Sequence, residues 1–529
     1  MQNVIAKHWI VSSLFMVLLS VSTTGRTAGA GLAESDAPRG SYDLWIRNGT
    51  IIDGTGRGRF AADVLVRGDT IAFVGKVAAD QITARRTVDA SGKIVAPGFI
   101  DAHSHGDPLA DSFLNFLAQG ITTVVLGQDG VTAGFDTDTP RESLAQWMRR
   151  LEKHSSEVNI ATLSGHGTLR ILAGVGDAPK PSPSQLALMQ QILRTDLASG
   201  AFGLSFGLEY EPGRYAQVAE EKALGDLVGK RGGIVMSHMR SEDFDKIGGA
   251  IDELLQIDAH VHVSHIKIVG GHRAEEAQAV LDQLASARAR GKEVTADVYT
   301  YLASASNFEF LYPDWAKRRS DYDEAVKHRR AELEAHIRKR VEERNGPEAI
   351  LLLDGPYAGS TVAALAKRLG KPYEKVMIDD LGYGGPAQAH FLMSAAVQNA
   401  FITADHICIS TDGAPNSSHP RSAGSFSKVL EDYVGPPPKM SLERAIYKMS
   451  GLAANIVGIT NRGVLSSGNK ADILVISSAG VHNRATWAKP MLPPTGFDVI
   501  IVNGEIALQG GRPDTHLHGQ VLRRVSNQN

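Results

Sequence analysis

Gly98-Phe99-Ile100-Asp101-Ala102-His103-Ser104-His105 runs from an apolar segment into two histidines spaced by one residue. In an extended strand, residues two apart face the same way, so both imidazoles can converge on one ion. A bare His-x-His pair is weak by itself; its neighbours along the chain give it weight. Asp129 follows TTVVLGQ, His238 follows GGIVMS, His265 follows AHVHVS and Asp412 follows HICIST. Each is a polar residue just past an apolar run. The runs Thr122–Leu126, Ile160–Leu163, Ile234–Met236, His260–Val263, Glu293–Ala296 and His406–Ser410 alternate with amphipathic helical stretches, the pattern of βα units on a parallel sheet. About 350 residues of such units, 98–455, suit an α/β fold of the TIM-like (β/α)8 barrel type with insertions, whose active face lies at the carboxyl ends of the strands.

His103, His105, His238, His265, Asp129 and Asp412 together make a nitrogen and oxygen donor set for zinc or a similar divalent ion, one or two of them. The single cysteine, Cys408, excludes an intramolecular disulfide, a CxxC zinc site and an iron–sulfur cluster, so His and carboxylate must carry any metal. Fifty-five basic against 58 acidic residues, a formal charge of −3, argue against a nucleic-acid or membrane-surface polyelectrolyte. With 43% hydrophobic and 21% charged residues over 529 positions, the chain has ample material for a large core.

Both ends of the chain read as β-structure. YDLWIRNGTIID, ADVLVRGDTIAFVG and TVDASGKIVAPG set apolar residues about Asn48-Gly49, Gly68-Asp69 and Ser91-Gly92, the residue types of hairpin turns. Phe497–Ile506 echoes Tyr42–Ile51, with an Asn-Gly pair at the same offset. Residues 42–97 and 456–520 are therefore expected to pair into one small β-sandwich. A run dense in Arg, Lys and Glu, Lys317–Asn345, predicts a solvated helix or helix pair, an insertion at about 313–347 that either faces water or covers the site. Residues 1–30 have the form of a secretory signal: Lys7, an apolar stretch Trp9–Val21, and Ala28-Gly29-Ala30 for cleavage. The stretch falls short of the ~20 residues of a spanning helix, so the expectation is an exported, periplasmic protein with no stable membrane anchor after cleavage.

Ordered motifs extend the reading: APGFIDAHSHGD, GITTVVLGQDG, SGHGTLR, GLSFGLEYEPGRY, SHMRSED, SHIK, DVYTY, STDG, HPRSAGSF and AIYKMS. In this order they resemble the amidohydrolase superfamily, and more narrowly its N-acyl-D-amino-acid deacylases, over almost all of the chain after the leader. The resemblance implies a barrel carrying a β-sandwich built from both ends. It also implies that His238 and His265 hold a tightly bound metal, His103 and His105 a second and weaker position, and Asp412 the catalytic carboxylate. Tyr210, Lys267 and Arg421 match positions that hold the substrate's carboxylate and acyl carbonyl. Two departures stand out. Asp129 occupies a place where that family usually has cysteine, and Thr300 one where it has proline.

The implied chemistry is hydrolysis of a linear amide in a small carboxylate-bearing substrate. A divalent ion lowers the pKa of water from 15.7 toward about 7 and polarises the carbonyl. Asp412 takes the proton and returns it to the leaving amine. Arg240 either adds positive charge for the substrate or pairs with an acid such as Glu242, and His166 either donates to the oxyanion or serves the turn. The alternatives are a cyclic-amide hydrolase of the dihydroorotase or hydantoinase kind, a D-dipeptidase, a xenobiotic amide hydrolase, and an exported metal-binding protein without catalysis.

Overall fold

The computed structural model describes residues 39–135, 142–477 and 480–525; the expected leader, residues 1–30, lies outside them. Five strands come first: β1 (Gly40–Ile51), β2 (Phe60–Arg67), β3 (Thr70–Gly75), β4 (Ile82–Asp89) and β5 (Ile94–Pro97). Tyr42, Leu44 and Ile46 of β1 are buried while the residues between them are partly exposed, the period-two pattern of a half-buried strand. Gly68-Asp69 turns the β2–β3 hairpin as expected. Asn48-Gly49 does not make a turn. It is a bulge inside a continuous β1, where the register against β2 shifts between Ile46 and Gly49. Asn48 takes a left-handed φ of 63°, which serves a bulge as well as a turn, and a Cβ on Gly49 would lie 2.5 Å from Val95 Cγ2. Nor does Ser91-Gly92 close a hairpin, since β4 and β5 both pair with β1 in parallel.

The barrel follows. Its strands are β6 (Phe99–Asp101), β7 (Ile121–Leu126), β8 (Asn159–Thr162), β9 (Ser164–Gly165), β10 (Gly203–Gly207), β11 (Ile234–His238), β12 (His260–Val263) and β13 (Val294–Val298). An insertion then supplies β14 (Ser304–Ser306), β15 (Ile350–Leu352) and β16 (Gln388–His390) before the last barrel strand, β17 (Ile407–Ile409). β6-β7-β8 and β9-β10-β11-β12-β13-β17 are all parallel ladders. β8 and β9 are one strand interrupted at Leu163, whose N–H still donates to Leu126 O at 2.9 Å. The ring closes where Ser104 bridges Gly413 in parallel, with His105 N to Gly413 O at 2.8 Å and Asp412 N to His103 O at 2.9 Å. Counting β8 and β9 as one, eight parallel strands form the (β/α)8 barrel. β7 and β10 are buried at every residue because helices cover the outside and side chains fill the inside.

The insertion is larger than the helical stretch expected at 313–347. It has its own antiparallel sheet, β14-β16-β15, and its own core, including Phe308, Tyr322, Leu333, Ile337 and Ile378. The charged run is its helix pair, Arg319–His328 and Arg330–Glu342. Three-residue strands carry too little alternation to be read from sequence.

The chain ends with β18 (Ile473–Ile476), β19 (Phe497–Val502), β20 (Glu505–Gln509) and β21 (Arg512–Pro513). β5 pairs with β18, so strands from both ends join one nine-stranded sheet with a common core that includes Leu44, Val64, Val95, Ile473, Val499 and Ile501. Beyond β21 the chain leaves the sheet and lies along β8, with Ile160 N to Gln520 O at 2.8 Å and Leu522 N to Ile160 O at 2.7 Å. Among the described residues, no helix is long and apolar enough to cross a membrane.

Candidate metal centre

β6 delivers His103 and His105 to the mouth of the barrel, and Asp101 anchors them there. Its buried carboxylate accepts from His103 N (3.2 Å), Thr411 N (3.0 Å) and Thr411 Oγ1 (2.5 Å), which ties the end of β6 to the end of β17. Burial raises its pKa to about 7. Three of the site residues sit just past strand ends with left-handed backbone: Asp129 (φ 53°), His265 (φ 35°) and Asp412 (φ 48°). Such conformations are uncommon for residues with a Cβ and gather at functional sites, where surrounding structure holds them. Gly207 makes room for the first, since a Cβ there would lie 2.1 Å from Asp129 O.

The side chains converge. Asp129 Oδ1 lies 3.5 Å from His103 Nε2 and 3.6 Å from His265 Nε2, and Asp129 Oδ2 lies 3.6 Å from His105 Nε2. Asp412 Oδ1 lies 3.3 Å from His105 Nε2 and 3.8 Å from His103 Nε2. His265 Nε2 also meets His238 Nδ1 at 2.9 Å, and Glu242 Oε1 stands 3.1 Å from His265 Nδ1. Donor atoms of His103, Asp129, His265 and Asp412 all lie within 4.8 Å of one another, as do those of His238, Glu242 and His265.

Those distances suit an ion. Two ligands about 2.0–2.2 Å from one tetrahedral zinc stand about 3.3–3.6 Å apart, longer than a good hydrogen bond. His103 Nε2 and Asp129 Oδ1, which face one another across the cluster, are buried with no hydrogen-bond partner, as fits ligand atoms of a cation. Burial works to raise the Asp129 carboxyl, but His103 and His265 outweigh it and hold it well below its ordinary value. Burial and Lys267 press the His265 imidazole down, while Asp412, Asp129 and Glu242 lift it to about 10. The three carboxylates around His265 thus favour positive charge at this cluster.

The remaining predicted residues divide. Tyr210 Oη lies 3.1 Å from His238 Nδ1, Lys267 Nζ donates to Glu242 Oε1 (2.5 Å), and Arg421 Nη1 donates to Asp412 Oδ2 (2.6 Å). All three line a cavity of about 220 Å³ over the cluster, with His105, Asp129 and Asp412. Arg240 does not line that cavity, and its acids are not Glu242 but Glu221 and Glu253. Its Nε meets both oxygens of Glu253 at 3.0 Å, Nη2 meets Glu221 at 2.7 Å, and Nη1 donates to Arg214 O at 2.9 Å. His166 is buried with its Nε2 2.8 Å from Glu220 Oε1, beside Arg170, and is not on the cavity wall. Both are paired with carboxylates distant in sequence, away from the cavity wall. Thr300 likewise turns away, its hydroxyl donating to Ser425 O at 3.2 Å.

Sequence reading missed Glu242 as a site residue, and missed Asp297 and Glu209. Asp297, the last residue but one of β13 and fully buried, meets His262 Nε2 at 2.9 Å and lies 3.8 Å from His103 Nδ1. Burial opposes its charge, yet His262 and His103 hold it at about 2. Glu209 faces His238 Nε2 at 3.1 Å. The signal for Asp297 was present, an acid in the run VTADVY at a strand end; Glu209 and Glu242 lie within the motifs GLSFGLEYEPGRY and SHMRSED, but in loops and not at a strand end.

A model of the amidohydrolase family matches residues 86–507. The chain belongs to the amidohydrolase family. This amidohydrolase is 32% identical over 507 residues, 91% of its chain and 96% of the relative, to the N-acyl-D-glutamate deacylase of Alcaligenes xylosoxydans xylosoxydans. A crystal structure of the N-acyl-D-glutamate deacylase of Bordetella bronchiseptica, complexed with zinc and a phosphonate inhibitor that mimics the tetrahedral intermediate, matches with TM-score 0.77 at 31% identity, over 91% of this chain and all (100%) of that one. A crystal structure of D-aminoacylase matches with TM-score 0.78 at 28% identity, over 91% and 100%. A D-hydantoinase from Thermus sp. shares the fold alone, with TM-score 0.53 at 17% identity over 91% of this chain and 99% of that one. The amidohydrolase is thus a metal-dependent hydrolase of carbon–nitrogen bonds other than peptide bonds, with a candidate site for divalent metal.

Proposed function

We propose that this amidohydrolase hydrolyses N-acyl-D-amino acids to the free amino acid and a carboxylate. The observation that carries the reading is the placing of Asp412 between two histidines of the metal cluster and the guanidinium of Arg421. The relatives named for N-acyl-D-amino-acid substrates support the linear amide and the D series over a cyclic amide. His103, His105, Asp129, His238 and His265 are the residues that would hold the metal.

A divalent ion held by these donors would supply Lewis acidity, lowering the pKa of water and polarising an amide carbonyl. Burial alone would raise the Asp412 carboxyl, but Arg421 and His265 hold it well below its ordinary value, so it stays ionised and able to take a proton. Arg421 occupies Oδ2, which leaves Oδ1 toward the histidines to accept the proton of the attacking water. Asp412 then returns that proton to the departing nitrogen, a step an amine requires because it leaves poorly as an anion. Burial keeps the Tyr210 phenol protonated, so it can donate to the oxygen on which charge develops. The Arg421 Nε, buried and unpartnered, and the Lys267 ammonium supply positive charge for the substrate's α-carboxylate.

Export belongs to the same proposal and is supported by the order of charge, apolar stretch and small residues within positions 1–30. The test of the reaction is amine release by zinc-loaded protein from paired N-acetyl-D- and N-acetyl-L-amino acids, with zinc measured on the same sample. Release from the D series alone is expected, falling about 10³-fold in Asp412→Asn with zinc retained. Zinc-loaded protein that releases amine from neither series overturns the reading.

A further inference from the structure

A second cavity opens beside the metal cluster and differs from the first in character. Asp129 and Tyr210 line both. Past those two residues the walls change from ionic to apolar, with Val131 and Phe135 from the loop after β7, Ile171 from the helix His166–Leu172, and Pro212. Its volume is about 580 Å³, against about 220 Å³ for the cavity over the cluster. Gly130, Gly167, Gly207 and Gly213 also line it, backbone against backbone. A Cβ on Gly213 would stand 2.3 Å from Gly207 O, and one on Gly130 3.0 Å from Gly207 N. Without side chains at these four positions the space beside Asp129 stays open.

The polar groups of this pocket are already engaged. Glu211 Oε1 accepts from Tyr215 Oη at 2.7 Å, Thr168 Oγ1 accepts from Thr132 N at 3.0 Å, and the Asp129 oxygens face the histidines. Val131 is 55% exposed at the wall, an uncovered apolar side chain next to a reaction site. Apolar walls with few free polar groups are the lining of a pocket for an apolar ligand. Its place in the ring says which half of a substrate enters. Counting β8 and β9 as one strand, the β9 position lies directly across the barrel from β13, which stands between β12 and β17. Lys267 follows β12 and Arg421 follows β17, so the cations and the apolar pocket flank the metal cluster from opposite sides. A substrate whose carboxylate meets Arg421 and Lys267, and whose carbonyl oxygen meets Tyr210, therefore points its acyl carbons past Tyr210 into the pocket. The amino-acid side chain branches from the carbon that bears the carboxylate and stays on the cationic side.

We propose that this pocket is an acyl subsite built by Val131, Phe135, Ile171 and Pro212, so that the preferred substrates carry a bulky apolar acyl group in place of acetyl. The inference rests on the deacylase reading for the bond that is cut and adds the chemical class of the group released. An acetyl group would leave most of a pocket of this size to water, whereas each further methylene placed against these walls removes apolar surface from water. The apolar group has two forms, an alkyl chain or an aromatic ring, and both present the same chemistry.

The experiment compares zinc-loaded wild type with Ile171→Trp, which fills the pocket, and Val131→Asp, which sets a charge on its wall. Substrates are N-acetyl-, N-octanoyl- and N-phenylacetyl-D-alanine, with N-acetyl-D-phenylalanine to place the same bulk on the amino-acid side. In wild type, kcat/KM is expected to favour octanoyl or phenylacetyl over acetyl by about tenfold or more, the effect of added apolar groups in a fitting pocket. That ratio falls toward one in each variant, and a single variant that folds is enough to read it. Preference for octanoyl assigns the pocket to a chain, and preference for phenylacetyl to a ring. No preference for either bulky acyl group in wild type, or a preference that survives both variants, overturns the proposal. A preference confined to N-acetyl-D-phenylalanine and lost in Ile171→Trp gives the pocket to the side chain and overturns the acyl assignment. If no N-acyl-D-amino acid is turned over, the deacylase reading fails, and calorimetric binding of N-octanoyl- against N-acetyl-D-alanine decides the subsite separately. Selection of the octanoyl compound that is lost in Ile171→Trp upholds it, and equal binding overturns it.

Discussion

A carboxylate at Asp129 offers the centre two oxygens where the thiolate of the resembling family would offer one sulfur. Oδ1 faces His103 and His265 while Oδ2 faces His105, so one side chain touches both histidine groups. Oxygen is also the harder donor, which broadens the range of divalent ions the site can accept. Asp129→Ala removes that link and leaves the imidazoles to hold an ion alone. Its zinc affinity, read by competition with a chelator, is expected to fall by more than the roughly 10–100-fold that loss of an outer partner costs. Zinc affinity unchanged in Asp129→Ala would show that the carboxylate is not a ligand. Arg240 and His166 carry the opposite lesson. Each is a chemically apt residue in an apt motif, and each is spent on a carboxylate of its own chain, Glu221 with Glu253 and Glu220 respectively.

At the scale of elements, the helix Pro183–Ala198 docks on the barrel through a polar contact. Buried Asp196 accepts from Ser164 Oγ of β9 at 2.7 Å. Burial raises its carboxyl from 3.8 to about 6. The native state therefore binds this proton more tightly than the unfolded chain does. Stability from this group is fully present below the unfolded pKa and is lost as pH rises through about 6. Asp196→Asn keeps the acceptor and removes the charge. Denaturant unfolding of metal-free protein should show the variant more stable by about 2–3 kcal/mol at pH 8, with no gain at pH 3.5. A gain of the same size at both values would point to packing instead of ionisation. The insertion teaches a related point. Its charged helices were legible by their composition, but its strands, each of three residues, were not.

Among the described residues, the barrel, the nine-stranded sheet and the segment after β21 meet at one side chain. Asn159, fully buried at the start of β8, donates to Thr122 O (2.9 Å) and Asp472 Oδ2 (3.1 Å), and its Oδ1 accepts from Asn503 Nδ2 (2.7 Å) and Gln520 N (3.0 Å). One side chain thus joins the barrel, the nine-stranded sheet and the C-terminal tail. Asn159→Ala leaves several buried polar groups unpaired, at about 1–3 kcal/mol each. Calorimetry should show one unfolding transition at a lower temperature, with zinc stoichiometry unchanged. A second, earlier transition would mean that sheet and barrel unfold separately.

The sequence by itself determined the alternation of strands and helices, because hydrophobic periodicity is local, and it placed His103, His105, Asp129, His238, His265 and Asp412 past strand ends. A parallel barrel brings every strand's carboxyl end to one face, so those placements sufficed to anticipate one shared site. Asn48-Gly49 shows the limit of local rules, since one residue pair suits a turn or a bulge and only the pairing of β1 with its neighbours chooses. Tertiary structure alone decided which cations stand in the cavity and which are spent elsewhere. Arg240 and Arg421 are the same residue type, and their roles follow from carboxylates that the fold brings close. Charge pairing in a buried site acts across space over a few ångströms, and the partners of these groups come from segments that folding alone brings together.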